Sequence, residues 1–153
     1  MAGRLSKSIT GTPDLIARAE LQIAIKGAGL IEFTREAAQF LVECGAGDGL
    51  LTAFIRHTSA SLAIQENADP DVQTDLREFF RRVAPEGMDW IVHRTEGPDD
   101  MPAHIRSALT QTSIGIPVVD GEAVFGTWQG IYLFEHRTRP HRRQVLLHII
   151  GHQ

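Results

Sequence analysis

Leu21, Ile23 and Ile25 alternate with Gln22 and Ala24, a period of two that predicts a half-buried strand ended by Gly27 and Gly29. The period then lengthens. Ala37, Phe40, Leu41 and Cys44 fall at i, i+3, i+4 and i+7, the apolar face of a helix starting at about Thr34, whose hydroxyl suits an N-cap. Gly45, Gly47 and Gly49 close it as C-cap and turn. Leu50 to Arg56 reads as a largely buried strand running into His57, and Ser61 to Glu66 as a second that stops at Asn67. Asp69-Pro70 is a helix start, a cap followed by proline at the first helical position. Val72, Leu76, Phe79, Phe80 and Val83 mark the face that helix should bury. Pro85-Glu86-Gly87 ends it. Trp90 to Arg94 reads as another strand and Gly97 to Asp100 as an acidic loop. Pro102 then opens a short helix to about Gln111, with His104 in its first turn.

The C-terminal part reads as all-β. Ile114 to Val119 and Ala123 to Phe125 flank Asp120-Gly121, a strong short-range hairpin signal, and Gly130 to Arg137 and Gln144 to Ile150 supply two further strands. Antiparallel strands with about three interspersed helices give an α+β class, mainly an antiparallel sandwich or barrel-like sheet. Residues 1–18 read as a polar arm and 19–153 as a single domain. Neither a dinucleotide fingerprint nor a phosphate-loop motif occurs, so no nucleotide cofactor is expected.

Composition narrows the classes of function. A chain of 153 residues can bury a full core without staples. Its formal charge of −4 argues against a dedicated nucleic-acid or acidic-membrane binder. No signal peptide and no membrane-spanning run is visible. Cys44, the single cysteine, excludes an internal disulfide and fits a reducing cytosol, so the cytoplasm is the expected location. Its place on an apolar helical stripe makes it a small hydrophobe rather than a nucleophile.

Candidate chemistry lies in the histidines. His57 ends a buried strand, His104 begins a helix beside acidic residues, and His136 ends a strand between Glu135 and Arg137. Three imidazoles could hold zinc or a similar divalent ion and leave a position open; singly, a histidine near a strand end is more often an ordinary hydrogen-bonded residue than a ligand. Alternation places Glu135 with Ile131 and Leu133 on one face and His136 with Tyr132 and Phe134 on the other. Glu135 and His136 therefore do not share a pocket unless the strand bends. Glu66 and Glu96 each follow a strand, suited to acid–base work or to orienting a ligand histidine. Ser59 is a possible nucleophile near His57, although no nucleophile elbow surrounds it. Arg137, Arg139, Arg142 and Arg143 form a dense basic cluster, suited to phosphate or carboxylate. No aromatic platform accompanies it, which disfavours nucleic acid.

With these residues together the chain resembles the YjbQ family, whose members are also described as secondary thiamine-phosphate synthases. The likeness rests on His57-Thr58-Ser59-Ala60, Glu66 to Val72, Met101-Pro102-Ala103-His104-Ile105, Gly126 to Leu133 and Glu135-His136-Arg137. The resemblance implies a compact α+β homotrimer and a polar pocket that takes a small phosphorylated molecule. Carried onto this sequence, it implies His57, Ser59, Glu66 and Glu96 as catalytic residues. Thr58, Asn67, Gln129 and Arg137 would contact substrate, and His57, His104 and His136 would gather around zinc or magnesium. The implied reaction joins a pyrimidine pyrophosphate to a thiazole phosphate. Metal-assisted hydrolysis of a phosphate ester or amide, and a non-catalytic binding trimer, are the alternatives.

Overall fold

The computed structural model describes residues 3–153. In chain order the elements are β1 (Leu15–Ile25), β2 (Gly29–Glu32), α1 (Thr34–Glu43), β3 (Gly49–Ile55), β4 (Ala60–Glu66), α2 (Pro70–Val83), α3 (Asp100–Leu109), β5 (Ser113–Val119), β6 (Glu122–Ala123), β7 (Gln129–Glu135) and β8 (His141–Gly151). They form a five-stranded sheet in the order β1-β8-β3-β5-β6 and a three-stranded sheet in the order β2-β7-β4. Every pairing is antiparallel. The α+β reading holds.

Alternation builds the core. Leu51, Ala53 and Ile55 of β3, Ile114, Ile116 and Val118 of β5, and Val145, Leu147 and Ile149 of β8 turn inward. They meet Leu62, Ile131 and Leu133 of the smaller sheet and Phe33, Ala37, Phe40 and Leu41 around α1. β7, central in its sheet, is buried from Gly130 onward. Its second face carries Tyr132 and Phe134, and Phe134 meets Phe80 of α2 edge to face with ring centroids 5.2 Å apart. The β5–β6 hairpin turns on Asp120 and Gly121, both at positive φ (50° and 82°), as a two-residue hairpin of this hand requires.

Several expectations move. β1 begins at Leu15, so residues 15–18 pair with 148–151 and are no part of an arm. The inward positions there include Ala17 and Ala19, too small to give a hydrophobic signal. Thr34 is the first helical residue rather than the cap. Its hydroxyl donates to Glu32 at 2.7 Å and accepts from the Ile131 N–H at 3.0 Å, tying α1 to β7. Trp90 to Arg94 is turn and coil; Arg94 folds back onto the carbonyls of Ile91 and Asp89, which leaves Val92 exposed. No residue of α2 is fully buried, and Phe79 and Val83 face outward, because the helix lies over only one patch of the smaller sheet. α3 starts two residues before Pro102. Among the described residues no helix is long and apolar enough to cross a membrane.

Candidate functional site

α3 sets the geometry. Asp100 and His104 stand four residues apart, so they share one face of its first turns. Both of their side chains meet His93, which the preceding loop carries over the helix. His93 Nε2 lies 2.8 Å and His104 Nε2 lies 3.1 Å from the same oxygen, Asp100 Oδ2. Asp100 is buried at 1% exposure, whereas both rings reach solvent. His104 Nδ1 is 2.9 Å from the Thr58 carbonyl. A carbonyl only accepts, so Nδ1 carries the proton and the lone pair of the neutral ring sits on Nε2. That lone pair points at a carboxylate oxygen. Two acceptors face each other, and a proton or a cation must lie between them. Among the described residues these three side chains are the group whose ligand atoms converge within 4.8 Å.

Arg137 anchors the arrangement from the end of β7. Its Nη1 donates to Asp100 Oδ1 at 2.7 Å, its Nε to Asp99 Oδ2 at 3.0 Å and its Nη2 to the Glu96 carbonyl at 2.9 Å. Asp99 precedes α3, but its carboxylate does not cap the helix; it accepts from the N–H and hydroxyl of Thr138 as well as from Arg137. Burial opposes ionisation of Asp99, yet these bonds outweigh it and hold the carboxyl well below its usual range. The same balance holds at Asp100, where burial is overcome by the neighbouring His93, His104 and Arg137 side chains. Gly97, at φ 105°, supplies the left-handed turn that brings this loop back to α3.

The β3–β4 connection forms a neighbouring polar cluster. The Gln144 N–H donates to His57 Nε2 at 3.0 Å, and Arg143 Nη1 stands 3.4 Å from His57 Nδ1. Arg143 also grips Glu135 with two bonds of 2.6 Å and reaches Ser59 Oγ at 3.0 Å. Burial first, and then the charge of Arg143, depress the His57 pKa and so favour the neutral ring.

The expected site residues therefore separate. Within one chain His57, His104 and His136 do not gather around a common point. His136 is enclosed at 1% exposure, with Nε2 paired to Ser61 Oγ at 2.9 Å and the ring against Phe134 at 4.4 Å. As alternation required, Glu135 lies on the other side of β7, in its pair with Arg143. Each nitrogen of Arg137 already has an acceptor, so its role here is anchoring. Glu66 pairs with Gln129 at one end of the β4–β7 ladder, while Ala60 pairs with Glu135 at the other. Six strand steps separate these ends, roughly 20 Å. Glu66, Asn67 and Gln129 thus stand apart from His57 and Ser59, and Gln129 Oε1 accepts from the Gly126 N–H in a local turn. Thr58 contributes its carbonyl to His104, and Glu96 its carbonyl to Arg137.

A sequence profile described as "UPF0047 protein YjbQ-like" matches residues 19–152. The chain belongs to the YjbQ family. It is 55% identical over 131 residues to the UPF0047 protein sll1880 of Synechocystis, covering 86% of this chain and 89% of that one. It is 45% identical over 103 residues to YjbQ of Escherichia coli O157:H7, covering 67% and 74%. Among solved structures, an uncharacterised YjbQ/UPF0047 protein of Clostridium acetobutylicum superposes with a TM-score of 0.75 at 33% identity over 84% of this chain and 98% of that one. A YjbQ-like protein of unknown function from Sulfolobus solfataricus shares the fold at 21% identity, with a TM-score of 0.78 over 90% and 99% of the chains. These names state no activity.

Two members of the convergent group in this YjbQ chain, His93 and Asp100, escape a reading by sequence alone. Read as a strand, residues 90–94 give His93 no reason to meet α3. Starting that helix at Pro102 leaves Asp100 in a solvated loop. The available signal is the four-residue spacing of Asp100 and His104, which a helix begun two residues earlier turns into a shared face.

Proposed function

We propose that this YjbQ protein is a cytoplasmic, metal-dependent enzyme acting on a small phosphorylated molecule, with His93, Asp100 and His104 as ligands of a divalent ion. The supporting observation is the apposition of the His104 lone pair and Asp100 Oδ2, two acceptors that a metal ion would reconcile. The donor set fits. Two imidazoles and one carboxylate, with both rings open to solvent, match a catalytic zinc-type site that keeps a free position, and they suit magnesium poorly because it prefers oxygen. The Thr58 carbonyl on His104 and Arg137 on Asp100 are the partners that orient ligands at such sites. Bound there, the ion would supply a Lewis acid for a phosphoryl oxygen.

The resemblance points to transfer with loss of pyrophosphate, giving thiamine phosphate. Hydrolysis of a phosphate ester is the second reading. It is favoured by the commitment of every nitrogen of Arg137 to Asp99, Asp100 and the Glu96 carbonyl, which withdraws that residue from a departing pyrophosphate. Assembly as a homotrimer belongs to the same proposal, since Glu66, Asn67 and Gln129 could join the histidines only from another copy.

Metal content of the purified protein tests the reading, with His93→Ala and His104→Ala alongside. One zinc or similar ion per chain, lost in both variants, is expected. Pyrophosphate release that needs both phosphorylated substrates would select transfer, and turnover of one alone would select hydrolysis. A wild type that holds no metal even after reloading would rule out the metal centre.

A further inference from the structure

His57 and Arg143 present two donors to each other. Because the Gln144 N–H donates to His57 Nε2, the lone pair of the neutral ring is there and the proton is on Nδ1. Nδ1 faces Arg143 Nη1 at 3.4 Å, and a guanidinium accepts nothing. The other nitrogens of Arg143 are occupied: Nε and Nη2 by Glu135, and Nη2 also by Ser59 Oγ. Both oxygens of Glu135, fully buried, are already engaged, and Oε1 also accepts from the Arg137 N–H. Among the described residues, nothing accepts from the Nη1 edge of Arg143, although that side chain is only 6% exposed. A charged donor left unmet on a nearly buried side chain is unfavourable. His57 beside it is only half-buried.

We infer that the Nη1 edge of Arg143 and the Nδ1–H of His57 form a binding site for an oxyanion, the phosphate group of a small phosphorylated molecule. One oxygen accepting from both donors removes their conflict and gains a charge-assisted bond. Arg143 is held for the task, because the two-pronged pair with Glu135 fixes its plane and leaves one edge outward. Ser59 Oγ braces the same guanidinium. The position also makes chemical sense. Thr58, between His57 and Ser59, gives its carbonyl to His104, so consecutive residues hold the anion and orient a ligand of the convergent histidine–aspartate group. The identity of the anion rests on the phosphorylated substrate proposed above; the existence of the site does not depend on a metal.

Inorganic phosphate titrated into the metal-free full-length protein tests this, read by the ring nitrogen and proton resonances of His57. Saturable shifts are expected, with Nδ1 remaining protonated throughout. The double variant Glu135→Gln/Arg143→Met removes the buried ion pair as a pair, so that no lone charge is left inside. Once shown to be folded by circular dichroism, it should bind phosphate at least tenfold more weakly. His57→Gln, which keeps a side-chain oxygen for the Gln144 N–H and is read by the backbone amide resonances of Ser59 and Gln144, should also weaken binding and serves if the double variant does not fold. Absence of saturable shifts in the wild type, or unchanged affinity in a folded variant, overturns the inference. His93→Ala separates the two proposals, because phosphate should still bind there although the metal does not. A protein that takes zinc but no phosphate refutes only the anion site, and the reverse result refutes only the metal site.

Discussion

At His136, burial holds an imidazole neutral. The residue is 1% exposed, and its pKa is pushed down to about 3, by burial first and then by the charges of Arg106 and Arg143. In the unfolded chain the same ring titrates at its ordinary 6.5. Between these values the unfolded chain binds the extra proton, so stability is complete above 6.5 and falls as the pH drops toward 3. The slope is about 1.4 kcal/mol per pH unit, which makes roughly 2 kcal/mol by pH 5. His136→Gln retains a polar partner for Ser61 Oγ but has no proton to gain. The stability gap between wild type and variant, from urea unfolding, should therefore shift by about 2 kcal/mol between pH 7 and pH 5. A gap that is constant across that range would mean the wild-type ring is not held neutral. The sides of β7 taken by His136 and Glu135 were legible from alternation alone. Their partners were not, because Ser61 and Arg143 arrive from strands whose pairing no local pattern encodes.

Helix ends carry the next level of information. Asp69 and Pro70 announce α2 in the sequence, and the structure has that cap, with the Asp69 carboxylate accepting from the Asp71 N–H at 2.9 Å. Because no residue of α2 is fully buried, the cap is a sizeable share of what holds it. Asp69→Ala should lower the unfolding free energy by about 1 kcal/mol, and Asp69→Asn by much less, since asparagine caps comparably. Equal losses in the two variants, measured by urea denaturation, would place the role of Asp69 elsewhere. α3 shows the opposite case. Its first residue is acidic and its third is proline, so composition reads as loop until Arg137 draws Asp99 and Asp100 inward. A boundary moved by two residues thus hid the pairing of Asp100 with His104, while the five-stranded sheet, written in plain alternation, was mostly visible.

Over the whole molecule, the two sheets enclose one apolar core, and the polar machinery is pushed to one end of β7, where β4, β8 and α3 meet. The sequence motifs of the family do not all reach that end. His57, Ser59, His104, His136 and Arg137 lie around it, whereas Glu66, Asn67 and Gln129 mark the far end of the same ladder, a division that one-dimensional spacing cannot express. The segment His57-Thr58-Ser59 has a consequence of its own. Its middle carbonyl positions His104 and its first side chain confronts Arg143, so a change imposed at either contact is felt through two peptide units. In thermodynamic terms, the two ligands proposed for this segment are subject to linkage. Whatever factor occupancy at one applies to affinity at the other must be returned in full in the opposite direction, and zinc and phosphate titrations performed in both orders would measure that single coupling constant twice.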